Sequence, residues 1–349
     1  MISKTLSEDE IKLYDRQIRL WGMEAQTRMR GSRVLVVNLT SVGCEVVKNL
    51  MLGGIGAITV IDSFKVLDQD LNANFFIDKT QVGQPKVLAA EARIKDLNPR
   101  VNLTVSTDDW QEKPEDYFLS YNLIVATGLD KTQLTRLNAI TRKLKIPFYA
   151  TGTHGLYGYI FVDLIEHESS VKYEKNPTPK KVGELSPTSE IVSITEVVEN
   201  DVELQNCIVK TRFVPLSEIF INNYDKLKYY FPTPRKLKKI SPVLPILLAL
   251  LEIPSQIGKP IEDVAIDAKE LESKVAEVVS RLKLPEEIIR PELVEKLAQQ
   301  AFCEFQPVSA IIGGAVSQDL INMLGRRELP LNNFVVLDGF TNEMPIYTL

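Results

Sequence analysis

The sequence predicts an α/β fold with a mainly parallel sheet, and two observations predict it. Over residues 1–165 short apolar runs of strand type alternate with helical patterns, as expected of strands joined by helical crossovers. Near the other end, one more helix and one more strand of the same style follow a long, different middle section. The sheet is therefore expected to be built from both ends of the chain, with a largely helical segment inserted.

The elements follow in order. Ser7-Glu8-Asp9-Glu10 reads as a capping box opening a helix on which Ile11, Tyr14, Ile18 and Trp21 form one apolar stripe. Arg33-Val34-Leu35-Val36-Val37 is a buried strand, and a helix from about Gly43 to Leu52 places Val42, Val46, Val47 and Leu50 on one face. Gly53, Gly54 and Gly56 break that helix, and Ala57 to Ile61 forms the next strand with Asp62 at its end. A helix over Lys86 to Leu97 stops at Asn98-Pro99. Short strands follow at Val101 to Val105, Leu123 to Ala126 and Phe148 to Ala150, with a helix over Lys131 to Leu144. Gly155 to Leu164 predicts a longer, antiparallel strand.

Beyond it the composition shifts. Residues 166–206 open with a polar stretch containing Pro177, Pro179 and Pro187, and are expected to be an exposed, mobile insertion. Residues 207–305 hold a strand at Cys207 to Val214 and then helices, among them Ala268 to Leu282 and Pro291 to Phe302. Residues 306–349 return to the sheet domain through a helix near Ser309 to Leu324 and a strand at Phe334 to Leu337.

Composition excludes several function classes. With 41 Lys and Arg against 46 Asp and Glu in 349 residues, the chain lacks the basic surplus of a general nucleic-acid binder. The strongest apolar run, Pro242 to Leu251, is about half a membrane span, and the first residues lack a signal-peptide core. Cys44, Cys207 and Cys303 form no Cys-x-x-Cys pair, and only His154 and His167 are present, so no metal site is expected. These features read as those of an intracellular globular protein.

The loop Asn38-Leu39-Thr40-Ser41-Val42-Gly43 stands where a nucleotide fold holds phosphates on helix-opening amides. Of the glycines such a loop needs only Gly43 is present, and Thr40 puts a branched side chain where phosphate approaches the backbone. Asp62 either binds a ribose hydroxyl or caps a loop. Arg16 projects away from the apolar stripe, so it is either solvated or presented to an anion on another chain. Lys86 either meets a phosphate or is simply exposed, exposure being the default. Asp130 either holds Mg²⁺ or caps the helix that follows it. The three cysteines read as structural, and Arg235-Lys236-Leu237-Lys238-Lys239 is a nuclear address or a solvated loop.

Several segments carry a likeness beyond these local readings. Tyr14-Asp15-Arg16-Gln17-Ile18-Arg19-Leu20-Trp21-Gly22 resembles the N-terminal motif of the ThiF-like enzymes that activate ubiquitin-like proteins. Asp68 to Phe76, Val82-Gly83-Gln84-Pro85-Lys86, Asp96-Leu97-Asn98-Pro99, Pro307 to Gly314, Asn332-Asn333-Phe334 and Leu337-Asp338-Gly339 extend the match. Length and these signatures together are similar to the small, Aos-type subunits of SUMO-activating enzymes, with the small subunits of neddylation-activating enzymes as nearest rival and a scaffold reusing the fold as a further alternative. Members with a working site carry Gly-x-Gly-Gly-x-Gly and a following Asn-Arg-Gln. Here Asn38, Thr40 and Ser41 replace glycines, and Asn72-Ala73-Asn74 lacks the arginine.

The resemblance thus implies a Rossmann-like adenylation fold with a degenerate cleft at Asn38, Thr40, Ser41, Gly43, Asp62, Asn72, Lys86 and Asp130. It implies that this chain binds no cofactor alone, while ATP and Mg²⁺ sit on a catalytic partner to which Arg16 is donated in trans. The implied partners are that large subunit in an obligate heterodimer and, through it, SUMO and its conjugating enzyme, with no nucleic acid or membrane. A nuclear location with a cytoplasmic share is implied as well. A self-sufficient homodimeric adenylating enzyme or a nicotinamide oxidoreductase would need the missing glycines.

Overall fold

The computed structural model describes residues 6–175, 178–199, 201–221, 224–260, 263–264 and 266–349. The chain opens with three short helices, α1 (Glu8–Leu13), α2 (Asp15–Trp21) and α3 (Met23–Arg30). Ser7 caps α1 in a full capping box, Glu10 returning its carboxylate to the Ser7 amide. The single amphipathic helix expected here is broken at Tyr14, whose ψ of 19° leaves the helical region. Tyr14 is buried, whereas Ile11, Ile18 and Trp21 are half-buried.

The sheet domain follows as β1 (Arg33–Val37), α4 (Ser41–Gly53), β2 (Ala57–Ile61), α5 (Lys86–Leu97), β3 (Asn102–Ser106), α6 (Glu115–Phe118), β4 (Leu123–Thr127), α7 (Lys131–Lys143), β5 (Phe148–His154) and β6 (Tyr157–Asp163). Among the described residues the sheet has eight strands, ordered β12 (Ile346–Tyr347), β11 (Phe334–Asp338), β6, β5, β4, β1, β2 and β3. β3, β2, β1, β4 and β5 are parallel, and β6 turns back antiparallel to β5. The two strands at one edge come from the far end of the chain: β11 pairs antiparallel with β6, and β12 with β11. The sheet is built from both termini. Because β1 pairs with both β2 and β4, the order in which successive strands are added reverses there, which opens a crevice at the carboxyl ends of β1 and β4.

The expected mobile insertion is instead a second sheet. β7 (Glu166–Glu174), β8 (Gly183–Ser186), β9 (Ser189–Glu199) and β10 (Val202–Arg212) form an antiparallel sheet ordered β7-β10-β9-β8 around a small core of Ile191, Cys207 and Val209. β10 and the first half of β7 alternate buried with more exposed residues, many of them polar, and β9 is largely exposed or half-buried, so these strands lack the apolar run that marks β1 or β4. The strand expected from Cys207 begins at Val202.

The helical segment is as expected: α8 (Leu216–Ile219), α9 (Tyr224–Tyr230), α10 (Pro234–Leu237), α11 (Val243–Leu251), α12 (Ala268–Arg281) and α13 (Pro291–Gln300). Every residue of α11 is buried, between the sheet and α12. α14 (Gln306–Gly325) is long and apolar enough to cross a membrane, yet it is mostly buried against α4, α3 and β6. Gly313 permits its contact with α4, since a Cβ there would stand 2.4 Å from Glu45 Cβ.

Candidate functional site

The crevice at the end of β1 and β4 is stitched together by its own side chains. Asn38 takes a left-handed φ of 66° and donates from Nδ2 to the Thr127 carbonyl (3.1 Å). Thr40 caps α4 by accepting the Gly43 amide and donates to Thr127 Oγ1 (2.8 Å), which donates on to the Asn38 carbonyl (2.8 Å). Gly43 is held to glycine, because a Cβ would stand 2.7 Å from the Asn38 carbonyl oxygen. The Gly43 amide at the start of α4 is therefore engaged within the chain.

The Ser41 amide donates to Glu304 Oε1 (3.0 Å), and the Ser41 hydroxyl bonds that of Ser309. A carboxylate thus occupies the helix N-terminus that would attract a phosphate. Burial pushes Glu304 up to about 7, against the opposing pull of Lys86 and the Ser41 amide. Lys86 is 3% exposed, which overturns the default expectation of an exposed lysine. Its Nζ donates to Asp70 Oδ1 (3.0 Å). Burial alone would lower the Lys86 pKa, but Asp62, Asp70 and Glu304 raise it overall, so the ammonium stays charged. Three carboxyl groups around one ammonium make this a poor environment for a polyanion.

Asp62 is a loop cap here: Oδ2 accepts the Leu39 amide (2.8 Å) and Oδ1 the Phe64 amide (2.7 Å). Burial raises its pKa against the pull of Lys86 and those amides. Asp130 caps α7 in a capping box, taking the Gln133 amide on Oδ1 (3.0 Å) and the Ser255 amide on Oδ2 (3.2 Å). Asn72 is exposed at the rim and Ala73 is buried beside it.

The loop after α11 closes the crevice from above. Ser255 Oγ donates to the Gly128 carbonyl (2.7 Å), and Gln69 Nε2 donates to the Lys259 carbonyl (2.8 Å). Ile257 and Thr40 cover Gly128 so closely that a Cβ there would meet them at 2.9 and 3.0 Å. The free volume left beside Thr40 and Gly128 is about 20 Å³, with about 110 Å³ more beside Lys86. Small-molecule sites commonly offer about 300–1,000 Å³, so the free space in this arrangement is well below that of such sites. Among the described residues no group of His, Cys, Asp or Glu is placed to hold a metal ion. Cys44 is buried behind the loop, where desolvation raises its pKa well above the ordinary thiol value. Glu304, Ser255 and Ile257 are the crevice residues that sequence reading missed. They arrive from remote loops with no local pattern to betray them.

Arg16 stands elsewhere. Asn98 Nδ2 donates to the Tyr14 hydroxyl and to the Met51 carbonyl (both 2.8 Å), and the Tyr14 ring lies against Gly54, just past the end of α4. Trp21 Nε1 donates to Gln26, which in turn donates to the Gly53 carbonyl. Both anchors sit at the C-terminal end of α4, a helix of 13 residues and so about 20 Å long. Arg16 is exposed at that end, remote from the crevice, and makes no hydrogen bond or ion pair with another described residue. Arg19, by contrast, pairs with Asp15 at 3.0 Å.

Comparison with known proteins gives a consistent picture. Residues 14–349 match the ThiF family. The chain is 41% identical over 345 residues to the DNA damage tolerance protein RHC31 of Saccharomyces cerevisiae, spanning 98% of this chain and 97% of that one. It is 31% identical over 350 residues to the DNA damage tolerance protein rad31 of Schizosaccharomyces pombe, spanning both chains fully. Human SUMO-activating enzyme subunit 1 is 32% identical over 337 residues, 96% of this chain and 93% of that one.

Proposed function

The chain belongs to the ThiF family, and from that premise we propose that it is the pseudo-adenylating, Aos-type small subunit of a heterodimeric SUMO-activating enzyme. The observation that carries this reading is a division of labour within one molecule. The crevice that would hold a nucleotide is filled by Thr40, Ile257 and Glu304, while the motif arginine is exposed at the opposite end of α4, without a partner among the described residues. An arginine so placed is of no use to its own crevice and is available to a site on another chain. The relatives named for SUMO activation supply the modifier.

In this reading ATP and Mg²⁺ bind the large partner subunit. The SUMO C-terminal carboxylate attacks the α-phosphate, an acyl-adenylate forms and pyrophosphate leaves; the adenylate is then displaced by a partner cysteine thiolate, giving the thioester and AMP. This chain supplies Arg16, whose planar, permanently charged fork stabilises phosphate charge as the reacting oxygens crowd together. Supplying it from a second chain makes activity depend on assembly, the logic of an arginine finger. Exposed apolar side chains support an obligate partner. Leu13, Leu20, Leu52, Leu88 and Ile311 are all exposed, Leu20 by 75%, on helices packed in sequence about α4 and α14. The SUMO-conjugating enzyme is reached through the complex, and nuclear residence with a cytoplasmic share completes the proposal.

The test is ATP–pyrophosphate exchange by the chain alone and with co-expressed candidate large subunits, assayed with SUMO and with other ubiquitin-like modifiers. The reading predicts no exchange by the chain alone and SUMO-dependent exchange with one partner. Exchange driven by the modifier of neddylation would transfer the chain to that pathway, and none with any partner would favour a scaffold.

A further inference from the structure

A second polar concavity lies at the other end of the sheet, where β5 begins and β6 runs into the small sheet. It offers about 560 Å³ of free volume, lined by Arg28, Arg142, Lys145, His167 and Arg326 over an apolar floor at Leu164. Four permanent or near-permanent cations converge there from α3, α7, the turn before β5 and the residue after α14, in a chain whose formal net charge is −5. The one acid in the lining, Glu166, is already paired with Lys210 at 2.7 Å and lies 3.9 Å from Arg212.

The cations differ in how they are employed. Arg28 donates from Nε and Nη2 to the Leu324 and Gly325 carbonyls, which caps α14. Arg326 and Lys145 make no side-chain hydrogen bond or ion pair with another described residue. Arg142 Nη2 donates to the Phe213 carbonyl (2.8 Å), while Nη1 is buried without a hydrogen-bond acceptor, 3.5 Å from Asp163. His167 is nine-tenths buried and its Nε2 has no partner. Buried polar atoms are nearly always satisfied, because a lost hydrogen bond inside the protein is not replaced by water. Beside Arg326 and Lys145, which have no described side-chain partner, the wall of this cavity thus holds two further nitrogen groups, on His167 and Arg142, with no hydrogen-bond partner among the described residues.

We propose that this cavity binds a small molecule carrying phosphate groups, gripped by the Arg326 guanidinium and Lys145 ammonium, with Arg142 and His167 on its inner wall. The volume falls in the range of small-molecule sites. The guanidinium forks match phosphate geometry, and a phosphate offers enough oxygen acceptors for several donors at once. Burial, and secondarily Arg326, holds His167 down to about 4. Near neutral pH it therefore meets the anion as a neutral hydrogen-bonding ring.

The test is calorimetric titration of the whole 349-residue chain with pyrophosphate at low ionic strength, beside the Lys145→Gln/Arg326→Gln double variant. Both residues are exposed, so the variant should keep its melting temperature without ligand. Saturable 1:1 binding is expected, weakened by more than about tenfold in the double variant, since charge-assisted bonds to phosphate are among the stronger polar contacts. Parallel titrations with inorganic phosphate and glycerol phosphate distinguish a free inorganic anion from a phosphate ester as the natural ligand, and tighter binding of either identifies that source. No saturable binding at millimolar pyrophosphate, or equal binding by the double variant, would overturn the proposal. So would binding lost in Lys86→Met and kept in the double variant, which would put the anion in the crevice.

Discussion

At the scale of single residues, the crevice is governed by Lys86 and the acids around it. Removing one partner of a buried charge cluster leaves the others uncompensated and typically costs about 3–5 kcal/mol. Lys86→Met should therefore lower the urea midpoint strongly, whereas Lys79→Met on the exposed surface should not. Glu304 gives a pH signature. Its pKa rises from an ordinary 4.5 to about 7 on folding, so between those values the folded state holds a proton that the unfolded state has released. Its contribution to stability must fall as pH rises through that window. Glu304→Gln should remove that component, so the variant gains on the wild type from pH 4.5 to 7 in paired thermal melts. A constant difference across the window would show that Glu304 does not titrate as described. Glycines restored at Asn38, Thr40 and Ser41 should leave the chain unable to bind ATP measurably by calorimetry, because Glu304 and Ile257 still occupy the crevice.

At the scale of elements, α4 organises both the crevice and the arginine. Its N-terminus meets Thr40 and Glu304, its C-terminus anchors Tyr14, and its flank packs on α14 through Gly313. Gly313→Val should cost about 1–3 kcal/mol by overpacking against Glu45, a loss readable in chemical denaturation. The small sheet behaves differently. Glu166 and Arg212 pair at its base, and the Phe213 amide donates to the Ile165 carbonyl (2.9 Å), so the chain enters and leaves at one point. Excising residues 166–212 with a short glycine bridge should leave the eight-stranded sheet folded and cooperative by circular dichroism.

These elements also show what the sequence carries. β1, β4 and α11 were legible because full burial demands uninterrupted apolar runs. Of the small sheet only the second half of β10 was legible; β7, β8 and β9 were not, since strands rich in exposed polar residues write no such run. The sheet's clue was the β-branched residues at Ile191-Val192-Ser193-Ile194-Thr195. The break at Tyr14 was invisible because the side-chain hydrogen bond that holds Tyr14 comes from Asn98, remote in sequence. The degenerate phosphate loop was legible residue by residue, yet its filling was not, for Glu304 reaches Ser41 across 263 residues.

At the scale of the whole molecule, a closed crevice, a motif arginine with no partner among the described residues and exposed apolar helices support the proposed role as one half of an enzyme that works across two chains. The central claim is that Arg16 acts on the partner's ATP and not within its own chain. It is tested most directly by SUMO-dependent pyrophosphate exchange of a reconstituted heterodimer carrying Arg16→Ala or Arg16→Lys. Arg16 is exposed and has no partner among the described residues, so folding and dimerisation should be nearly unchanged. Adenylation should fall about 10²-fold or more in Arg16→Ala, the scale of losing a donor at a centre of developing charge. Arg16→Lys should recover only part of that loss, keeping the charge without the fork. Wild-type exchange by the Arg16→Ala heterodimer at limiting ATP would contradict the account and make Arg16 a solvated arginine.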